Sequence, residues 1–403
     1  MTSAWLAFRT VQRYRARTAL AAIGVAIIGA LLFDMLLLSR GLVASFADLL
    51  DRSGYDIRVV NSEGVSVSRT PIPHASTVSA AIERLPEVAS VARIRLEPAT
   101  VAGGDGSDLD VTVIGSTRAG GRIAWTVVEG SDLPDGSAST EPCPVLVGRN
   151  LANALHLQPG ATLQLRADVP GQQSALPPIP CRIAGIANSL FASANEFEVL
   201  TTMRGLREVR GGTDNDDADL VLVASAAAID PAVTVRAIAA LRPDLRVYSN
   251  DDVVDQFNRN GFAYFRQISV VLSSITVVFT FLLVATILTV STNQRLGEIA
   301  ALRALGIGRR RIAAMLLWES VLIVGLGGLA ALPLGGLVAA GLDRILKQMP
   351  GVPSALHFFV FEPRALGLHA LLLSATALVA ALYPMWLTAR LPIASTLRRE
   401  VVG

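Results

Sequence analysis

The chain has 403 residues, 52% of them hydrophobic and only 17% charged, with a mean hydropathy of +0.50. An average soluble domain carries about 25% charged residues, so this composition excludes a purely soluble protein and a disordered one. A net charge of +2 argues against nucleic acid as a partner, and two cysteines are too few for a disulfide scaffold or a four-cysteine zinc site.

In chain order, an arm at 1–17 carries Arg9, Arg13, Arg15 and Arg17 and no acid. The apolar run 18–38, broken only by Asp34, reaches about 30 Å as a helix, the thickness of a bilayer core. It is longer than the apolar stretch of a cleaved signal peptide and is predicted to be retained as a first span. Residues 39–53 continue as a stalk, with Leu42, Phe46, Leu49 and Leu50 at helical spacing. Residues 54–252 have ordinary soluble composition and are predicted to form an α+β core domain. Within it, Asp56-Ile-Arg-Val-Val60 alternates like a half-buried strand, and a helix at 77–85 and a strand at 88–96 follow. A second set has a strand at 219–223, a helix at 231–241 opening on Pro231, and a strand at 245–248. Two β-α-β units at opposite ends predict one split, ferredoxin-like sheet from 54–97 and 218–250, with 98–197 as a β-rich insert. The acids of 211–217 read as a solvated turn, and no metal site is predicted.

A second stalk is predicted at 253–267, weakened by Gly261. Three further spans follow: 268–290, without a charge; 312–342, with only Glu319; and 365–389, with His369. A loop at 291–311, a short outer loop at 343–364 and a tail at 390–403 connect and end them. The fold class is therefore a polytopic α-helical membrane protein with four transmembrane helices and a large extracytoplasmic α+β domain between helices one and two. Asp34, near the outer end of its span, is read as facing a helix interface or reaching the headgroups, and His369 as a polar contact between helices. Gly325, Gly328, Ala331 and Gly335 allow close helix packing.

Orientation follows from the arginines. The 291–311 loop carries Arg295, Arg303, Arg309, Arg310 and Arg311 against Glu298, and the tail Arg390, Arg398 and Arg399 against Glu400. The positive-inside rule puts these segments and both termini in the cytoplasm of a bacterial inner membrane. Residues 54–265, with 25 acids and 17 bases and a net of −8, then lie outside. Cys143 and Cys181 fall in this outer part, where an oxidising compartment permits a disulfide; two buried free thiols are the alternative.

The chain contains no GxxxxGK[ST], HExxH, GxSxG or CxxC. It is expected not to be an enzyme and to hold no cofactor. His74, His156, His357 and His369 are scattered.

The most informative segment is Asn293-Gln-Arg-Leu-Gly-Glu-Ile-Ala-Ala-Leu-Arg-Ala-Leu-Gly306, followed by Ile-Gly-Arg-Arg-Arg-Ile312. Residues 295–305 read as a short amphipathic helix in which Ile299 and Leu302 pack, while Arg295, Glu298 and Arg303 face water or a partner. Gly306 is placed as its C-terminal cap, and Arg309, Arg310 and Arg311 then meet lipid phosphates. With Glu298-Ile299, Arg303, Leu305-Gly306, Arg309 to Ile312, Glu319 and the glycines of 325–328, this pattern resembles the MacB/FtsX-like superfamily of ABC transporter permeases (type VII, the mechanotransmission type). Leu-Pro-Glu-Val88, Pro-Val-Leu-Val-Gly-Arg-Asn-Leu-Ala152 and Gln-Pro-Gly160 look like that family's outer core domain. The C-terminus departs from the family, with Pro384-Met-Trp-Leu-Thr-Ala-Arg390 in place of a Pro-Ala-Arg-Arg-Ala-Ala segment.

The resemblance implies a permease subunit with a separate cytoplasmic ABC ATPase that binds the ATP and magnesium. It also implies a second permease copy, identical or paralogous, and a periplasmic adaptor as a further partner. Arg295, Glu298, Ile299, Leu302, Arg303, Leu305, Gly306, Arg309 and Arg310 would form the ATPase-coupling site. The expected work is export or extraction of a hydrophobic or amphipathic substrate. Two rivals stand beside it: an FtsX-like regulator of cell-wall hydrolases that moves no cargo, and a membrane receptor or assembly scaffold.

Overall fold

A computed structural model describes residues 3–61, 70–103, 108–117, 125–134, 143–167, 177–189, 192–193, 195–212, 216–261, 263–349 and 352–389. The tail at 390–403 lies outside them, as do three residues of the 211–217 loop. Helix α1 (Ser3–Arg13) precedes the long α2 (Arg15–Arg52). Then come β1 (Ile57–Val60), β2 (Ile72–Pro73), α3 (Ala75–Glu83), β3 (Val88–Ala102), β4 (Asp108–Ser116), β5 (Trp125–Gly130), β6 (Pro144–Gly148) and α4 (Arg149–Leu155). They are followed by β7 (Thr162–Ala167), β8 (Ile179–Ser189), β9 (Glu198–Thr202), α5 (Met203–Val209), β10 (Asp217–Ala218), β11 (Leu220–Ser225), α6 (Pro231–Leu241) and β12 (Arg246–Ser249). Next are α7 (Asn250–Gln256), a π-turn (Phe257–Gly261), α8 (Ala263–Gln294), α9 (Leu296–Ala304), α10 (Arg309–Leu346) and α11 (Pro363–Ala389).

The chain divides into two units, one of Met1–Leu42, Ala263–Arg344 and Phe358–Gly403, the other of Val43–Phe262 and Ile345–His357. In the helical unit, four helices among the described residues are long and apolar enough to cross a membrane: Arg15–Arg52, Arg266–Gln294, Arg309–Leu346 and Pro363–Trp386. Their shared core includes Val25, Leu32 and Phe33 of α2, Leu288 of α8, Ile323 of α10 and Ala377 of α11. Close approach depends on Gly327, where a Cβ would lie 2.6 Å from Val25 Cβ and 2.8 Å from the Ala22 carbonyl oxygen. Gly328 and Gly335 also face neighbouring helices, whereas Gly325 faces open space. Asp34 and His369 are both buried at this interface, and the His369 and Phe33 rings meet edge-on at 5.4 Å.

The first span at 18–38, expected to continue into the stalk at 39–53, does so as one helix, because no proline interrupts it and the apolar face runs on through Leu42, Leu49 and Leu50. The second stalk, expected over 253–267 as a helix weakened at Gly261, is helical in its described residues, with α7 passing into the π-turn that ends at Gly261 and α8 running from Ala263. Helix α7 begins on a capping box, Ser249 and Asp252 each accepting the other's backbone N–H. Rings of Phe46 and Phe257 pack at 4.5 Å, joining the end of α2 to the π-turn.

The α+β unit holds a ten-stranded sheet in the order β12-β1-β11-β3-β4-β9-β6-β8-β5, with β7 pairing β3 and β8. Each adjacent pair in the run β12, β1, β11, β3 is antiparallel, and α3 and α6 cover these strands through Val78, Ile82 and Ile238 on Ile57, Val59, Val221 and Val223. The 98–197 region, expected as a separate lobe, continues this same sheet. Strand β3 runs for 15 residues, pairing β11 over its first half and β7 over its second. A second core, with Val113, Val145, Leu151, Leu165, Ile183 and Val199, fills the insert. Cys143 and Cys181 lie in this core joined as a disulfide, with Cα atoms 4.7 Å apart. The 343–364 segment is also more than a connection: α10 reaches Leu346, and Ser354 N–H donates to the Ala192 carbonyl at 2.8 Å.

Candidate functional site

The site is built where α8 ends, α9 forms and α10 begins. Arg295 immediately precedes α9, one helical turn beyond Ser291. Its Nη2 donates to Glu319 Oε2 at 2.7 Å and to Ser291 Oγ at 2.8 Å. Ser291 Oγ in turn donates to Glu319 Oε1 at 3.0 Å. From α2, Arg17 reaches the same carboxylate, Nη2 to Oε1 at 3.2 Å, bonds Ser291, and donates through Nη1 to Gln294 Oε1 at 3.2 Å. The Tyr14 ring lies beneath both guanidinium groups, 5.3 Å from Arg17 and 5.7 Å from Arg295. Glu319 and Arg295 side chains are only 2% and 5% exposed, while that of Arg17 is 23% exposed. One carboxylate in an apolar helix therefore ties three helices and the start of a fourth.

This arrangement corrects one expectation. Arg295 does not face water or a partner; it is buried, because Glu319 in an otherwise apolar helix requires a counter-charge. Of the other predicted residues, Glu298, Leu305, Gly306, Arg309 and Arg310 are exposed and the rest are wholly or partly covered. Ile299 is buried and Leu302 half-buried, and they anchor the helix. Glu298 is exposed in the first turn, where a negative charge suits the helix dipole. Arg303 stands half-buried in the last turn, and Leu305 is 81% exposed at the tip. Gly306, at φ 88°, ends α9: its N–H donates to the Arg303 carbonyl and that of Ile307 to the Leu302 carbonyl, the two bonds of a Schellman cap. Arg309 and Arg310 are exposed in the first turn of α10. A groove of about 510 Å³ runs between α1 and α9, lined by Leu6, Arg9, Arg13, Glu298, Ile299 and Leu302.

Sequence reading missed Tyr14, Ser291 and the pairing role of Arg17. The available signal was the lone acid of the 312–342 run, together with a serine one turn before an arginine. Among the described residues no group of three or more metal-ligating side chains is present.

Comparison with known proteins places two family models on the chain: a MacB-like periplasmic core domain at residues 18–241 and an FtsX-like permease C-terminal domain at 270–393. No curated protein matches. Among solved structures, the periplasmic region of MacB from Actinobacillus actinomycetemcomitans is 11% identical, covering 51% of this chain and 95% of its own, with a TM-score of 0.39. The extracellular domain of the noncanonic ABC-type transporter YknZ from Gram-positive bacteria is 14% identical, covering 48% and 98%, with a TM-score of 0.34. The two family models account for both units, the second spanning α8 to α11 and the whole α9 surface. The chain belongs to the MacB/FtsX-like superfamily of ABC transporter permeases, membrane proteins with a periplasmic domain that serve an ABC system whose ATPase is a cytoplasmic partner.

Proposed function

We propose that this chain is the subunit through which a separate cytoplasmic ATPase performs conformational work outside the inner membrane, exporting or extracting a hydrophobic or amphipathic substrate. The observation that carries this reading is α9: a short helix capped by Gly306, presenting Glu298, Arg303 and Leu305, beside a buried Arg17–Glu319–Arg295 cluster. A lever must be exposed to be pushed and anchored to pass the push on; the exposed Leu305 and the bonds of Arg295 to Glu319 and Ser291 support this reading. The ATPase holds ATP and magnesium, its surface meets Leu305 and the charges around it, and Arg309 and Arg310 lie at the lipid phosphates. Both termini are cytoplasmic, the α+β domain between helices one and two is extracytoplasmic, and the working assembly contains two permease copies. A periplasmic adaptor receives the substrate.

The test is Glu298→Lys and Arg303→Glu in the reconstituted permease–ATPase complex. ATP hydrolysis and movement of the outer domain, read by distance-sensitive fluorescence, should separate from each other while membrane insertion persists. Unchanged coupling in both variants, or failure of any ATPase to copurify with the wild-type chain, refutes the reading.

A further inference from the structure

The α+β unit has a second apolar face. Two-residue alternation sends Ile94 and Leu96 of β3, Ile114 of β4, Leu200 of β9 and Leu220 and Leu222 of β11 away from the helix-covered cores. Phe46 and Leu50 of α2 with Val253 and Phe257 lie over part of this face, and a cavity of about 300 Å³ remains between them and the sheet. A second cleft, of about 490 Å³, has a mixed lining in which Thr126, Arg149, Asn150, Asn188, Glu196 and Ser354 stand among Ala187, Ala192 and Ala355. The two share Ser189 and Glu198 as a common wall.

Glu198 is 8% exposed, and its Oε2 is buried with no hydrogen-bond partner among the described residues. Burial pushes its carboxyl up to about 7, against the opposing bond from Ser189. Arg58, the other charged residue on the apolar wall, is already engaged: it donates to Asn250 Oδ1, and Asn250 also binds Asp51. The unmet polar demand is thus the Glu198 carboxylate where the apolar cavity meets a cleft of mixed lining, in which Glu196 and the exposed Arg149 are the other charged groups. A ligand that satisfies both has an apolar body and a donating, positively charged head.

We propose that the two cavities form one binding site for a cationic amphiphile, its apolar body between stalk and sheet and its ammonium head on Glu198 and Glu196. This assignment rests on the permease reading for what the ligand is for, but its test requires no ATPase. The full chain in phosphatidylcholine nanodiscs, at about pH 8 where Glu198 is largely ionised, is irradiated with a dodecylammonium probe carrying a diazirine on its chain, and labelled peptides are mapped by mass spectrometry. Labelling is expected on the β3, β4 and β11 strands lining the cavity. Glu198→Gln should raise the half-labelling concentration at least about tenfold, the loss of one charge-assisted hydrogen bond. Leu222→Trp, which fills the cavity from another strand, should abolish labelling with Glu198 intact. Competition by phosphatidylethanolamine in the disc assigns the head to a lipid, and its absence to a free amphiphile. Equal labelling by the matching dodecanoate probe, an unchanged half-labelling concentration in Glu198→Gln, or labelling confined to the apolar helices overturns the proposal. None of these outcomes bears on whether Glu298 and Arg303 couple to an ATPase.

Discussion

Removing Glu319 should harm the helical unit more than removing Arg295, although the two are partners in the same ion pair. Wild type holds two guanidinium groups against one carboxylate, with Arg295 and Glu319 almost fully buried and Arg17 partly exposed. Arg295→Met leaves Arg17 and Glu319 as a balanced pair. Glu319→Gln keeps the side-chain volume but leaves two cations converging on Ser291 with no anion between them. A charge pair at about 4 Å is worth about 4 kcal/mol at an effective dielectric of 20, and breaking a buried pair by removing one member costs about 3–5 kcal/mol. Discounting the Arg17 contact for its exposure, Glu319→Gln should cost about 3–5 kcal/mol and Arg295→Met about 1–2 kcal/mol. The double variant, which leaves only Arg17 and lets it reach solvent, should be more stable than Glu319→Gln alone. Thermal unfolding of each variant in nanodiscs, followed by intrinsic fluorescence with insertion verified by protease protection, gives the order of midpoints. An Arg295→Met midpoint at or below that of Glu319→Gln, or losses that simply add in the double variant, would refute the idea that one carboxylate organises the cluster.

Two further outcomes follow from the α+β unit. Burial raises the Glu198 carboxyl from 4.5 to about 7, so the folded state holds a proton that the unfolded state releases between these values. The stability this proton confers is complete below about pH 4.5 and is lost as pH rises through about 7, a change of about 3 kcal/mol. Denaturant titrations at pH about 5 and 8 should show this decline in wild type and lose it in Glu198→Gln; a parallel decline in both assigns it elsewhere. Replacing Cys143 and Cys181 by serine opens a bridge across a sequence separation of 38, which the chain-entropy model values at about 4 kcal/mol. The paired variant should unfold at a lower temperature than wild type under oxidising conditions and match it after reduction; coincident oxidised midpoints would deny the bridge its role.

The membrane helices were legible because their signal accumulates over twenty or more residues, and Gly306 because a left-handed position at a helix end narrows the choice of residue. The Arg17–Glu319–Arg295 cluster was not, since its members stand on three chain segments and any arginine near a bilayer has a charge-rule explanation already. The continuity of the sheet was hidden by Pro98, which reads as the end of a strand. The structure shows why it is tolerated. Pro98 stands opposite Thr112, whose N–H points away to the Phe197 carbonyl, so this is a pair without mutual hydrogen bonds. The missing N–H of Pro98 thus faces the side where β11 has ended at Ile94 and β7 begins only at Ala99. A local rule was obeyed in a gap that only the tertiary fold creates.

The same alternation that hid the gap also separates the two sides of the sheet. On one side, α3 and α6 fill one core and the helices of the insert another. On the other side, Phe46 and Leu50 of α2, Val253 of α7 and Phe257 of the π-turn line a cavity against β1, β11, β3, β4 and β9, and Trp125 packs with Leu146 and Leu200 in a separate small cluster. A sequence tuned for stability alone would fill such a space with larger side chains and place an apolar residue at 198, since an unpartnered buried carboxylate oxygen costs several kcal/mol on the order of other desolvated polar groups. Instead the Glu198 carboxylate lines both the apolar cavity and the neighbouring cleft of mixed lining. A ligand bound there as proposed would touch Phe46, Val253 and Phe257, which line the cavity from α2, α7 and the π-turn.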